Sequence, residues 1–95
     1  MSSHETIHVT TMASLANLIR ASRIEQGLTR DELAYASGLS AKFITHVESA
    51  KPTAQIGKVL HLLAELGIEL TAQSSVTISE ASIQKSTTRR RSHGQ

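Results

Sequence analysis

The chain has 95 residues, enough for one small domain, and no cysteine, which excludes disulfide frameworks, thiolate metal sites and thiol nucleophiles. No stretch approaches the ~18 consecutive apolar residues of a membrane span, and with only Tyr35 and Phe43 aromatic a base-stacking surface for single strands is not expected. The net charge of +2 is unevenly placed: residues 1–70 hold six basic residues against seven acidic ones, whereas residues 71–95 hold Lys85, Arg89, Arg90 and Arg91 against Glu80.

In chain order, the N-terminal arm (1–10) begins Met-Ser-Ser-His-Glu, with neither the basic region nor the apolar stretch of a secretory signal, consistent with a cytoplasmic protein. Thr6-Ile7-His8-Val9-Thr10 alternates and is compatible with a short strand. From Thr11 the period becomes helical, with Leu15, Leu18, Ile19 and Ser22 on one face, and Gly27 ends a first helix over about 12–26. Thr29-Arg30-Asp31-Glu32 is a capping box opening a short second helix that closes at Ser37-Gly38. Ser40 caps a third helix, running to about Ser49, in which Ile44 and Val47 face inward. Lys51-Pro52-Thr53 breaks the chain, and Thr53 is the predicted cap of a fourth helix bearing Ile56, Val59, Leu60, Leu63 and Leu66 and ending at Gly67. Ile68-Glu69-Leu70-Thr71-Ala72 alternates as one more strand, whose partner must be residues 6–10 or a second chain. Residues 73–95, rich in Ser, Thr and Gln and ending in a basic run, read as a flexible tail.

Two short helices joined by Ser37-Gly38-Leu39-Ser40 have the form of a helix-turn-helix, with Gly38 supplying the turn, Leu39 plugging the angle and Ala34 small at the closest approach. The wider run Arg23-x3-Gly27-Leu28-Thr29-x2-Glu32-Leu33-Ala34-x3-Gly38-Leu39-Ser40-x3-Ile44-x3-Glu48 resembles the phage-repressor-like (Xre/Cro) DNA-binding family. With Lys51 to Leu60 and Leu66-Gly67 added, the resemblance spans roughly 11–72 and is greatest to HipB-like antitoxins. It implies an all-α, lambda-repressor-like domain of four to five helices, with a short C-terminal strand that pairs across a homodimer through Ile68 and Leu70. It also implies sequence-specific repression at double-stranded operator DNA, autoregulation, and a HipA-like serine/threonine kinase as the toxin partner. Two positions depart from the family: Arg30 stands where a bracing Gln is usual, and Ala50 where Gly is frequent. A phage- or host-type repressor without a toxin, or an interaction module that no longer reads DNA, are the alternatives.

The third helix would bring Ser40, Ala41, Lys42, Thr45 and His46 to a major groove, where Lys42 could donate to guanine and Thr45 meet a base. Phe43 has two readings, packing beside that helix or touching DNA. Thr29, Ser40 and Thr53, as helix starts, would offer backbone N–H groups to phosphates, with Arg30 and Lys51 supplying charge. A body with no bulk positive charge could bind DNA in this way. Arg23 and Glu48 match an ion pair that in the family ties the first helix to the third. Arg89–Arg91 reads as a solvated tail or as a further backbone contact.

His4-Glu5-Thr6-Ile7-His8 fits the H-E-x-x-H pattern of zinc proteases. That chemistry needs a helix, so that both imidazoles share a face; in a strand the two His would lie about 13 Å apart. No catalytic residue, metal or cofactor is therefore expected, and the chain does not read as an enzyme.

Overall fold

The first three helices start where a neighbouring side chain accepts from their orphan amides. The computed structural model describes the backbone of residues 5–92 and the side chains of residues 5–88. Helix α1 spans Met12–Glu25, and Thr11 and Ser14 form a reciprocal capping box at its start. Helix α2 spans Arg30–Ser37 and opens on the predicted box: Thr29 Oγ1 accepts from the Glu32 amide at 3.0 Å, and the Thr29 amide donates to Glu32 Oε1 at 2.8 Å. Helix α3 spans Ala41–Glu48, with Ser40 Oγ accepting from the Phe43 amide at 3.0 Å. Helix α4 spans Ile56–Glu65.

Between α2 and α3 the chain must reverse within three residues. Gly38 takes φ +77°, and a Cβ there would meet nothing within 4 Å. The backbone angle, not a lack of space, therefore calls for glycine. Helices α1, α3 and α4 all stop in the same way: the chain turns back through a residue at positive φ, and the amides just past the helix donate to carbonyls of its last turn. At α1 and α4 that residue is Gly27 or Gly67; at α3 it is Ala50, at φ 63°. The left-handed turn implied by the family position is thus retained with a β-carbon in it.

Helix α3 packs against α1 and α2, and α2 packs against α4. The core is Ile19, Leu33, Ile44, Val47, Val59, Leu62, Leu63 and Leu66, with Leu15, Leu28, Ala34 and Leu39 partly buried against it. The result is an all-α domain in which α2, the Gly38 turn and α3 form the expected helix-turn-helix. His61, on α4, donates from Nε2 to the Ser37 carbonyl at 2.7 Å, which fixes α4 to the end of α2. Gln26 Nε2 donates to the Leu66 carbonyl at 2.9 Å and ties α1 to the end of α4.

The cap of α4 is corrected, and the segments expected as strands and as a tail take the following forms within the single chain. Thr53 does not cap α4: residues 51–54 form a turn closed by the Ala54 amide on the Lys51 carbonyl at 3.2 Å, so the helix begins two residues later behind Gln55, without a side-chain cap. No strand occurs among the described residues, either at 6–10 or at 68–72. A strand needs a hydrogen-bonded neighbour, and these two segments do not pair within the chain. Finally, the segment read as a flexible tail contains helix α5, Glu80–Ser92. Ser79 starts it by accepting from the Ser82 amide at 3.1 Å, and Glu80 in the first turn suits the helix dipole. The described side chains of α5 are all exposed.

Candidate nucleic-acid interface

The outer side of α3 carries Lys42 and Thr45, both exposed, with Ala41 and His46 beside them. Ile44 and Val47 on the opposite side are completely buried and fasten the helix to the core. Hydrogen bonding divides the polar groups further. Ser40 Oγ serves as the α3 cap and Ser49 Oγ donates to the Thr45 carbonyl at 2.8 Å, whereas Lys42 and the Thr45 hydroxyl have no protein partner among the described residues. The side chains left free on the outer side of α3 among the described residues are therefore Lys42 and Thr45.

Phe43 packs beside the helix. It is partly buried against the core, and Lys58 Nζ sits 5.8 Å from its ring centroid. Lys51 is exposed at the end of the α3 turn, and Thr53 is exposed in the following turn. Thr29, Arg30, Ala41 and Thr45 line one open groove between the start of α2 and the exposed side of α3, together with Arg23, Gly27, Leu28 and Asp31. Four of the residues assigned to DNA from the sequence thus share a single surface depression. Of the two expected dimer residues, Leu70 is exposed, whereas Ile68 is turned onto its own core by the α4 termination. His4 of the H-E-x-x-H pattern lies outside the described residues. Glu5 to His8 are not helical, so the pattern lacks the helix that zinc chemistry requires.

Beneath the groove lies the expected ion pair. Arg23 Nε and Nη2 donate to Glu48 Oε2 and Oε1 at 2.7 and 3.1 Å, and Arg23 Nη1 donates to the Leu28 carbonyl at 2.7 Å. Their side chains are only 10 % and 1 % exposed, so this two-point lock between α1 and α3 is shielded from water. Burial is the largest single influence on the Glu48 carboxyl and pushes its pKa up. The hydrogen bonds and charges of Arg23, then Arg30, together outweigh burial and hold it below the usual carboxylate range. The hydrogen bond to Glu48 likewise raises Arg23 against the opposing effect of its own burial.

Sequence reasoning missed a second cation on this carboxylate. Arg30 Nε donates to Glu48 Oε1 at 3.0 Å. Nothing local signals it, because the two residues stand 18 apart in sequence and meet only once α2 and α3 pack.

No family model matches the chain. It is 47 % identical over 62 residues to the uncharacterized HTH-type transcriptional regulator y4mF of Sinorhizobium fredii (strain NBRC 101917 / NGR234), covering 65 % of this chain and 82 % of that relative. Similar solved structures include HipB in its complex with the O4 20mer and the HipA–HipB–O2–O3 complex. Each aligns with a TM-score of 0.68 and 21 % identity over 75 % of this chain and 100 % of the other. A mutant of the restriction-modification controller protein C.Esp1396I aligns with a TM-score of 0.55 and 18 % identity, over 94 % of this chain and 100 % of that one.

Proposed function

Because the chain belongs to the Xre/Cro family of helix-turn-helix transcriptional regulators, DNA-binding proteins and not enzymes, we propose that it represses its own operon. In this reading it binds a palindromic operator as a homodimer and is the antitoxin of a HipA-like serine/threonine kinase. The observation that carries it is α3 itself: a helix pinned to the core by Ile44, Val47 and Glu48, with Lys42 and Thr45 unpartnered on its exposed side among the described residues. Such a helix can enter a major groove without rearranging, so little ordering is needed on binding. Thr29, Arg30, Ser40, Ala41 and Lys51 surround it as groups for backbone contacts, with His46 and Phe43 at its flank.

Support for a dimer comes from apolar surface left open. Ile56 and Leu60, one turn apart on α4, are 63 % and 46 % exposed, and Leu70 is 50 % exposed. Support for a kinase partner comes from the likeness of fold to HipB, which has been solved together with HipA. A gel shift on the chain's own promoter and co-purification from native cells test the two parts separately. Failure to bind that promoter at low salt sinks autoregulation. Binding without a co-purifying kinase leaves a stand-alone repressor.

A further inference from the structure

Glu48 ends α3 with its side chain 1 % exposed, and its carboxylate divides between two guanidiniums that differ in what remains to them. Arg23 is used up, with Nε and Nη2 on Glu48, Nη1 on the Leu28 carbonyl, and its side chain 10 % exposed. Arg30 is held at one atom only. Its Nε donates to Glu48 Oε1 at 3.0 Å, its side chain is 41 % exposed, and neither Nη has a partner among the described residues. A guanidinium tethered through Nε keeps its end-on fork, two parallel N–H donors on Nη1 and Nη2. Arg30 lines the groove shared with Thr29, Ala41 and Thr45.

Charge points the same way. Two cations on one carboxylate leave an excess of one positive charge, and it resides on the exposed member. Asp31 also lines the groove and opposes any anion there, so a small free anion would gain little. A phosphodiester held in place by the rest of a duplex would still meet the fork with its two non-bridging oxygens.

Resting on the DNA-binding reading above, we propose that Glu48 is a positioning residue for the DNA backbone: it holds Arg30 so that the Nη1–Nη2 fork receives one phosphate beside the groove entered by α3. One buried carboxylate then performs two tasks. Through Arg23 it seats the reading helix on α1, and through Arg30 it sets the distance between that helix and the phosphate. Lysine at position 30 would supply charge without either the Nε tether or the fork, so it is not an equivalent.

The test uses the full chain and two labelled 30-base-pair duplexes, one from its own promoter and one with that sequence shuffled, with binding followed by anisotropy across a salt series. Arg30→Gln should weaken binding to both duplexes by a similar factor, on the order of tenfold, and make the log–log salt slope shallower by about 0.9. Its melting temperature should stay near that of the unmodified protein, since Arg23 still pairs with Glu48. Arg30→Lys should keep the salt slope and yet lose most of the same affinity. Glu48→Gln should weaken binding by a larger factor in the native background than in Arg30→Lys, where only the seating of α3 through Arg23 remains to be lost; if it fails to fold, the two Arg30 variants decide. Arg30→Lys binding as tightly as arginine, or Arg30→Gln leaving the salt slope unchanged, overturns the proposal. Equal binding of the two duplexes by the unmodified protein would instead reject sequence-specific repression, leaving the phosphate contact to be judged on both.

Discussion

The Glu48 carboxylate, enclosed by Arg23 and Arg30, makes both folding and pH response depend on one group. Removing it leaves a largely buried guanidinium unpaired, so Glu48→Ala should destabilise the domain by ~3–5 kcal/mol and weaken promoter binding. A melting curve coincident with that of the unmodified protein, with intact binding, would contradict this. The sign of the pH effect follows from a carboxyl whose pKa is lower in the folded state than in the unfolded chain. Its contribution is complete above the unfolded value of about 4.3 and is lost as pH falls through the lower folded value. Thermal unfolding at pH 3 to 7 should therefore show a fall in melting temperature below about pH 4 that is smaller in Glu48→Gln. Ala50 acts in the opposite sense. Its φ of 63° places a β-carbon where Gly27 and Gly67 sit in the equivalent turns, a conformation costing an L-residue roughly 1–2 kcal/mol. Ala50→Gly should raise the melting temperature by a few degrees, offset in part by the greater freedom of glycine in the unfolded chain. A lower melting temperature would show that the turn carries no strain.

At the scale of the element, α2 and α3 are eight residues each and hold their shape through caps and tertiary packing, being too short to persist alone. Ser40→Ala removes the acceptor for the Phe43 amide and should cost about 1 kcal/mol. Because that cap shapes the start of the reading helix, promoter affinity should fall further than stability alone accounts for. Lys42→Ala, by contrast, should leave the melting curve unchanged and cost ~1–3 kcal/mol of discrimination between promoter and shuffled duplex. Equal losses on both duplexes would reassign Lys42 to the backbone. These helices were legible because each signal is local: Thr29 with Glu32, Ser40 with the Phe43 amide, Gly38 at its turn. The start of α4 was not, because Pro52 and Thr53 offer as good a local start as Gln55, and the turn over 51–54 takes precedence.

For the whole molecule, the folded body is α1 to α4, and no described side chain of α5 joins its buried core. A helix without a buried face gains nothing from packing, so deleting residues 80–95 should leave the melting temperature of the body unchanged. If Arg89–Arg91 follow the DNA backbone, the same deletion should make the salt dependence of binding shallower by about 0.9 for each phosphate no longer neutralised. An unchanged slope would assign the run to solvent. The open apolar surface of Ile56, Leu60 and Leu70 predicts self-association. Sedimentation equilibrium should show a dimer that Leu60→Glu dissociates, since burying that carboxylate would be costly; a native monomer at all concentrations would refute it.

The helices through α3, the glycine turns at Gly27, Gly38 and Gly67, the inward placement of Ile44 and Val47 and, by resemblance, the Arg23–Glu48 lock were legible in the amino-acid order alone. Each rests on interactions within about a turn of helix, or on a motif whose spacing is the fold. Packing was needed to settle that Arg30 shares Glu48, that Ile56 and Leu60 stay outside while Val59, Leu62 and Leu63 fill the core, and that residues 68–72 form no strand within one chain. Those outcomes depend on which faces meet between residues distant in sequence, and on hydrogen-bond partners that a single chain does not contain. Periodicity can say that a residue is apolar and on a given face, but only packing settles which of two adjacent apolar faces is covered.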